Sequence, residues 1–440
     1  MKKGTPVLIA LILLVTSFPA QSQQLLTVEE AVATAIKNNY DIQLLKNDSS
    51  LAALNKSYAR AAFYPRVNAN TGVVLNNNDT RQKLSDGSER GASGIRSDNV
   101  QASINLNWTV FDGLKMFVTR DKLNEFVRLG ELNIKNQLVN TVAEVIRTYY
   151  NVVRQKQQLI AIEEQMSLNV ERVEQAEKKL KVGLGAKPEM LQAKVDLNAQ
   201  RAAKLRQQTL IQQLKEQLNL LMVTSRDAIY EVEDSIPFKN NLLVTEILEA
   251  AEKNNPLLQV TQQNIKIAEL TLKENKADRF PIVTLNSAYN FNRTNNRVVV
   301  NNFTPLFNRN RGFNYGASAT IPIFNNFNVK RQIEATKLDI SYQQTLYDYQ
   351  KWSMNIGISN AYKDYELQRK TLQLEEENIT LAKENVYIAS ERLRLGVTTY
   401  LELRETQKSL EDAYNRLIAA RYDTKVAETE LLRLKGELVQ

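Results

Sequence analysis

The side chains that carry most enzymatic chemistry are missing from this sequence. The 440-residue chain contains no cysteine and no histidine. It therefore has no thiolate nucleophile, no thiolate zinc site, no disulfide framework and no neutral-pH imidazole base. A Ser-His-Asp arrangement is excluded for the same reason. Paired carboxylates remain open to acid–base work. Carboxylates three residues apart, on one face of a helix, ordinarily only solvate its surface. No catalytic constellation, cofactor motif or metal-ligand spacing is evident elsewhere. The expectation is a protein that is not an enzyme and uses no cofactor and no metal.

Composition narrows the class further. With 43% hydrophobic and 24% charged residues the chain is of the folded kind. Only 14 glycines and 9 prolines punctuate it, which favours long uninterrupted helices. The net charge of +8 is spread along the sequence. Nucleic-acid binders cluster basic residues with aromatic ones among them, and no such cluster is present, so no nucleic-acid partner is expected. Lys2 and Lys3 precede an apolar run, Val7–Phe18, and the small-x-small site Ala20-Gln21-Ser22. That is the pattern of a secretory signal peptide over residues 1–22. No cysteine follows the run to carry a lipid anchor, and no other apolar stretch reaches the length of a membrane helix. Entry into a membrane would then require strands closed into a barrel.

The elements that position these residues come in two copies. Lys37-Asn38-Asn39 recurs as Lys253-Asn254-Asn255, and Tyr64-Pro65 recurs at the same offset as Phe280-Pro281. Further on Phe111 matches Phe324 and Gly183 matches Gly396, at an offset three residues smaller. The copies span residues 23–222 and 243–440, joined by a linker at 223–242. Each opens with helical segments, Val28–Asn38 and Tyr40–Phe63 in the first, that stop before proline.

The hydrophobic period then changes from 3.6 to 2. Val100, Ala102, Ile104, Leu106, Trp108 and Val110 alternate with Gln101, Ser103, Asn105, Asn107 and Thr109. Val283, Leu285, Tyr289 and Phe291 alternate with Thr284, Asn286, Ala288 and Asn290, and Phe313 and Tyr315 open a similar run. Strands are expected at about 66–76, 99–111, 282–292 and 312–323, each with one apolar and one uncharged polar face. A half-buried sheet of a soluble protein shows the same alternation. The aromatic residues Trp108, Tyr289, Phe291, Phe313 and Tyr315 lie towards the ends of these runs, where a lipid-interface girdle would place them. Asn76–Asp98 and Asn292–Arg311 read as polar surface loops.

Long helical hairpins follow, over 113–222 and 326–436. Each outgoing helix would be roughly 100 Å long, with Asp112 and Asn325 as N-cap candidates. Each turns at glycine, Gly183-Leu184-Gly185 and Gly396-Val397-Thr398. Apolar residues every three to four positions, as in Val142, Val145, Ile146, Tyr149 and Val153, indicate coiled-coil-like packing. A helical bundle or rod would show them too. Four strands cannot close a transmembrane barrel, whereas three chains would supply twelve.

This layout resembles the TolC-like outer membrane efflux protein family, the outer membrane factors, over the whole mature chain. The stretches from Lys181-Val182-Gly183 to Glu189-Met190-Leu191-Gln192-Ala193 and from Arg394-Leu395-Gly396 to Leu401-Glu402-Leu403 carry the likeness. The resemblance implies a mixed α/β membrane protein of the Gram-negative outer membrane, extending into the periplasm. It would be a homotrimer, with a 12-stranded β-barrel, a periplasmic α-barrel of helical hairpins, and an equatorial belt at the linker and C-terminal end. It further implies an exit duct of a tripartite efflux or type I secretion system, docked on a periplasmic adaptor (membrane fusion) protein. An inner membrane transporter of RND or ABC type would deliver drugs, small molecules or proteins. In the family, acidic residues narrow the periplasmic tip. The matching positions are Glu402 and Glu405, with Glu189 in the first copy, where glutamate replaces the usual aspartate and Arg404 intervenes. Leu393 and Thr398 stand where some members carry closed-state locks. The two turns would meet the adaptor. A different class, an exported non-channel helical structural or adaptor protein, explains the helices but leaves the four alternating strands unexplained.

Overall fold

The computed structural model describes residues 24–225, 228, 230–238, 242–300 and 303–438; the expected leader lies outside them. The elements are β1 (Gln24–Leu26), α1 (Val28–Asn38), α2 (Tyr40–Ser57), a 3-10 segment (Tyr58–Phe63), β2 (Arg66–Lys83), β3 (Glu89–Phe111), α3 (Lys115–Lys181) and α4 (Lys187–Met222). The second half continues with β4 (Tyr230–Val232), α5 (Val244–Asn254), α6 (Pro256–Ala277), β5 (Ile282–Asn296), β6 (Phe307–Thr320), α7 (Asn328–Arg394) and α8 (Tyr400–Lys435). The two outgoing helices each have 67 residues and the two returning helices 36. None of the described helices is long and apolar enough to cross a membrane.

The chain divides into two compact units, and each draws on both sequence copies. One takes residues up to Lys46, Asn133–Gln259 and those from Tyr349 onward; the other takes Asn47–Leu132 and Val260–Asp348.

In the first unit, coiled-coil seams supply the core. Leu372, Ile379, Val386 and Leu393 of α7 recur every seven residues, as do Leu403, Leu410 and Leu417 of α8, and all seven are buried. A strict seven-residue repeat keeps the seam facing its partner only if the helices supercoil left-handedly. The other hairpin buries Val145, Tyr149, Val152 and Val153 against Leu214, Leu218 and Met222, with Tyr230 and Val232 of β4. There β1 and β4 pair in parallel, Gln24 to Tyr230 through Leu26 to Val232. The buried Tyr149 hydroxyl donates to the Leu26 carbonyl at 2.7 Å and accepts from the Glu233 N–H at 3.2 Å. Burial pushes its pKa up to about 12, so the donor is kept protonated. These two short strands carry no alternation that a three-residue window could reveal.

The repeat extends to single hydrogen bonds. Asn39 is buried between α1 and α2; its carbonyl accepts from the N–H groups of Asp41 and Ile42, and its amide donates to the Leu221 carbonyl. Asn255 between α5 and α6 accepts from Leu257 and Leu258 and donates to the Leu434 carbonyl. One side chain thus caps one helix start and ties it to the end of the returning helix.

The second unit holds a four-stranded antiparallel sheet in the order β2-β3-β5-β6, so β2 and β6 are its edges. The strands outrun their expected ends. The segment read as a loop at Asn76–Asp98 is mostly ladder, paired from Asn76↔Ser97 to Lys83↔Glu89 across one bulge, with the chain reversing at Leu84–Ser88. Likewise β5 continues to Asn296 and β6 starts at Phe307. Antiparallel pairing needs only backbone groups, so a ladder persists where neither face is apolar and the period-2 signal has vanished. At the other end β6 stops at Thr320, short of the expected 323. The helix expected to run to Phe63 becomes 3-10 from Tyr58.

Candidate functional site

Two features could carry function, one in each unit. In the sheet, cross-strand register sorts the side chains into two faces. On the first face the rows read Val67-Leu106-Ser287-Tyr315, Ala69-Ile104-Tyr289-Phe313, Thr71-Ala102-Phe291-Arg311 and Val73-Val100-Arg293-Arg309. On the second they read Asn68-Asn105-Ala288-Asn314, Asn70-Ser103-Asn290-Gly312 and Gly72-Gln101-Asn292-Asn310. One face is mainly apolar and uncharged until arginine begins; the other is mainly amide and hydroxyl, with Ala288, Gly72 and Gly312 among them and Arg66 at the start of β2. The apolar-to-charged boundary crosses the register obliquely. It falls at Arg311 on β6, at Arg293 on β5 and at Asp98 on β3, one row further each time. A membrane plane cuts tilted strands in this oblique way.

All five singled-out aromatic residues lie on the apolar face, but not all at strand ends. Because the strands are longer than the alternation suggested, Tyr289, Phe291, Phe313 and Tyr315 sit mid-strand. Phe291 and Phe313 border the arginines. Trp108 is near the other end, its indole N–H donating to the Phe63 carbonyl at 2.8 Å.

In the helical unit the two hairpin turns share one geometry. Gly183 and Gly396 have φ of +76° and +77°, a left-handed conformation that glycine adopts without strain. The Leu184 N–H donates to the Lys179 carbonyl at 2.9 Å and the Val397 N–H to the Arg392 carbonyl at 3.0 Å, the Schellman closure of a helix. Gly185 is required for space, because a Cβ there would lie 2.9 Å from the Leu180 nitrogen. Thr398 takes its place in the second turn. Leu184 is 82% exposed and Val397 62%, with Val182 and Leu395 beside them also exposed.

The structure separates the three acidic candidates. Glu402 is committed within its own hairpin: the Arg392 guanidinium pairs with it at 2.6 Å, the Thr398 hydroxyl donates to it, and its N–H is capped by Thr399. Glu405, exposed on the next turn, has no ion-pair partner among the described residues and lines a cleft with Arg404, Lys408 and Glu411. The Glu189 charge acts on Tyr400, whose pKa is raised by burial first and by that charge second. Leu393 is buried in the seam.

That cleft also holds a network the sequence reading did not single out. Asp196 of α4 accepts from Arg172 of α3, pairs with Arg404 of α8 at 3.3 Å and accepts from Gln192 at 2.9 Å. Arg172, only 5% exposed, also donates to Gln407 of α8 at 3.2 Å. One carboxylate and one guanidinium thereby tie the first hairpin to the second. Arg172 falls on a buried stripe with Gln165, Asn169 and Ala176; a charge at a seam position was the signal available.

A family model described as "Outer membrane efflux protein" matches residues 31–222 and again residues 247–437. The chain belongs to the outer membrane efflux protein family. It is similar to protein CyaE of Bordetella pertussis, at 24% identity over 396 residues, 86% of this chain and 77% of that one. It is similar also to the outer membrane efflux protein BepC of Brucella suis, at 22% identity over 423 residues, 94% of this chain and 86% of that one. The solved structure of the outer membrane protein VceC from Vibrio cholerae superposes with a TM-score of 0.75 at 14% identity, covering 93% of this chain and 96% of that one. As an outer membrane efflux protein the chain resides in the outer membrane of a Gram-negative bacterium and serves as an exit duct for efflux or secretion. Its family members and structural neighbours are channels. Its fold is that of the TolC-like channels, helical hairpins with a four-stranded sheet.

Proposed function

We propose that this efflux protein works as a homotrimer. Three four-stranded sheets close into a twelve-stranded barrel whose apolar face meets outer membrane lipid and whose amide face lines the water path. The observation that carries this reading is the sorting of the two sheet faces across four strands with two unpaired edges. Each edge has unpaired backbone groups, and the hydrocarbon region of a bilayer tolerates none. A second copy of β6 beside β2 satisfies both. The uncharged part of β5, Val283 to Phe291, spans about 27 Å along the strand and so about 20 Å once tilted, near the height of an outer membrane band. The expected result is a detergent-solubilised particle with the protein mass of three chains. A monomer that stays soluble without detergent would overturn the assembly and favour a non-channel helical protein.

In this reading the helical hairpins form the periplasmic tube, β1 and β4 with the other described residues of the linker form its belt, and the turns face a periplasmic adaptor protein. An inner membrane transporter of RND or ABC type supplies the cargo. The duct itself performs no catalysis and binds no cofactor.

Glu405 is the carboxylate of the gate. Three copies give a ring of unpaired negative charge that favours cations, whereas Glu402 is offset by Arg392. Glu405→Gln is expected to lower the cation-to-anion permeability ratio in planar bilayers by a factor of about 3. Glu402→Gln, which releases Arg392, should lower it less, and Glu189→Gln least. An unchanged ratio in the Glu402→Gln, Glu405→Gln double variant would remove these residues from the pore.

A further inference from the structure

The residues from Ile282 to Thr320, the β5–β6 hairpin, carry four arginines and no Asp, Glu or Lys. The register puts Arg293, Arg309 and Arg311 on the apolar face of the sheet, above its uncharged band, and Arg297, just past the end of β5, pairs with Asp98 of that face. Arg311 follows Phe313, and Arg293 lies directly opposite Arg309. Arg96 of β3 joins them, its carbonyl accepting from the Arg297 N–H at 2.8 Å. The opposite face of the same rows holds only Asn, Gln, Ser, Thr, Gly and Val.

Like charges directly opposite one another on a sheet repel. One carboxylate offsets one of them. Asp98, the acidic residue of these rows, pairs with Arg297 at 3.5 Å, while Asp79 accepts from the Gly94 N–H and Glu89 pairs with Arg81. Arg96, Arg293, Arg309 and Arg311 have no carboxylate partner among the described residues. Solubility alone would be served by arginine on either face. Confinement to the face that is apolar below, at the oblique line where the apolar rows end, points to an anion held at the membrane surface.

We propose that Arg293, Arg309 and Arg311, with Arg96 beside them, bind the phosphate groups of an outer-leaflet glycolipid whose acyl chains lie on Tyr289, Phe291, Phe313 and Ile104. Guanidinium groups match phosphate oxygens two at a time. An amphiphile with phosphates at the boundary and alkyl chains below it satisfies both halves of the face at once, which a free anion does not. The proposal rests on the barrel reading above.

The test uses the full trimer in detergent and the Arg293→Gln, Arg309→Gln, Arg311→Gln variant, whose side chains remain polar and whose ladder is untouched. Binding of bisphosphorylated lipid A is measured by native mass spectrometry beside dephosphorylated lipid A and phosphatidylglycerol, with inorganic phosphate as competitor. The expected result is that the variant, and the dephosphorylated lipid on the parent, each bind on the order of tenfold more weakly, and that millimolar phosphate does not displace the lipid. Equal binding by parent and variant, or by the two lipid A forms, overturns the site. Displacement by phosphate, or equal binding of phosphatidylglycerol, overturns the glycolipid as occupant. Vesicle insertion of the same preparation separates the two readings. A parent that fails to insert refutes the barrel, whereas one that inserts without lipid preference refutes only this site.

Discussion

Channels carrying Asp196→Ala are expected to open at least about tenfold more often in planar bilayers than the parent. Asp196 is the shared acceptor that joins α3, α4 and α8 near the hairpin tips, and its removal strands Arg172. A guanidinium that is 5% exposed and loses its carboxylate is costly, about 3–5 kcal/mol for a buried pair broken from one side. Gln407 remains within reach at 3.2 Å but carries no charge to compensate. The least costly relief is to bring Arg172 to water, which requires the two hairpins to part at that level. Arg404, half exposed, loses only a surface partner and adds little. The variant Arg172→Met with Asp196→Leu separates the causes. It removes both charges and fills the seam, which for buried pairs is often near neutral in stability, so its opening frequency should return close to the parent's. Parental opening in Asp196→Ala would show that this network does not hold the hairpins together. Frequent opening in the double variant would show that attraction, rather than the stranded charge, sets the balance.

The elements readable in the sequence are those with long periods. Helices of 67 residues announce themselves by apolar spacing and by the near absence of glycine and proline, and the duplicated turns reveal the repeat. Membrane-level strands are readable because one face must be apolar. Where that demand ends, so does the signal: Asn76–Lys83 and Glu89–Asp98 continue the backbone ladder with only scattered polar cross-strand contacts such as Arg81–Glu89, and no alternating side-chain pattern betrays them. The three-residue strands β1 and β4 are fixed by the Tyr149 hydroxyl and by Lys215 and Lys156, which donate to the Tyr230 and Val232 carbonyls. Those contacts join residues up to 123 positions apart, beyond any local pattern.

At the site the same division holds. Spacing placed Glu402 and Glu405 on one helix face, yet nothing in spacing says that Arg392, across the hairpin, neutralises the first and leaves the second. Asp196 looks like an ordinary surface carboxylate in the sequence. Only the crossing of the two hairpins brings Arg172 and Arg404 to it. The face-specific arginines were likewise hidden, because the segment containing them read as a loop, and a loop has no faces.

Leu184→Asp combined with Val397→Asp is expected to weaken the complex with the periplasmic adaptor by a factor of about 1,000 while leaving trimers intact. Both side chains project from the ends of helical hairpins, 82% and 62% exposed, where no tertiary packing explains an apolar residue. Val182 at 69% and Leu395 at 69% extend each patch. Covering one such side chain is worth about 1.5–3 kcal/mol, so losing two per chain removes about 3–6 kcal/mol before the cost of burying a carboxylate is added, and every 1.4 kcal/mol is about tenfold in affinity. The turns should tolerate the change. Leu184 and Val397 contribute backbone N–H groups to the helix closure, while the left-handed positions belong to Gly183 and Gly396. Gly183→Val with Gly396→Val is the contrasting variant: it keeps the apolar tips but strains both closures, so it should lower the thermal stability of the hairpins and weaken docking less. Co-purification with the adaptor from membranes, scored against trimer content, reads both effects. Normal recovery of the adaptor with the Asp variant would mean that docking uses the hairpin flanks, and that the exposed leucine and valine serve the turns alone.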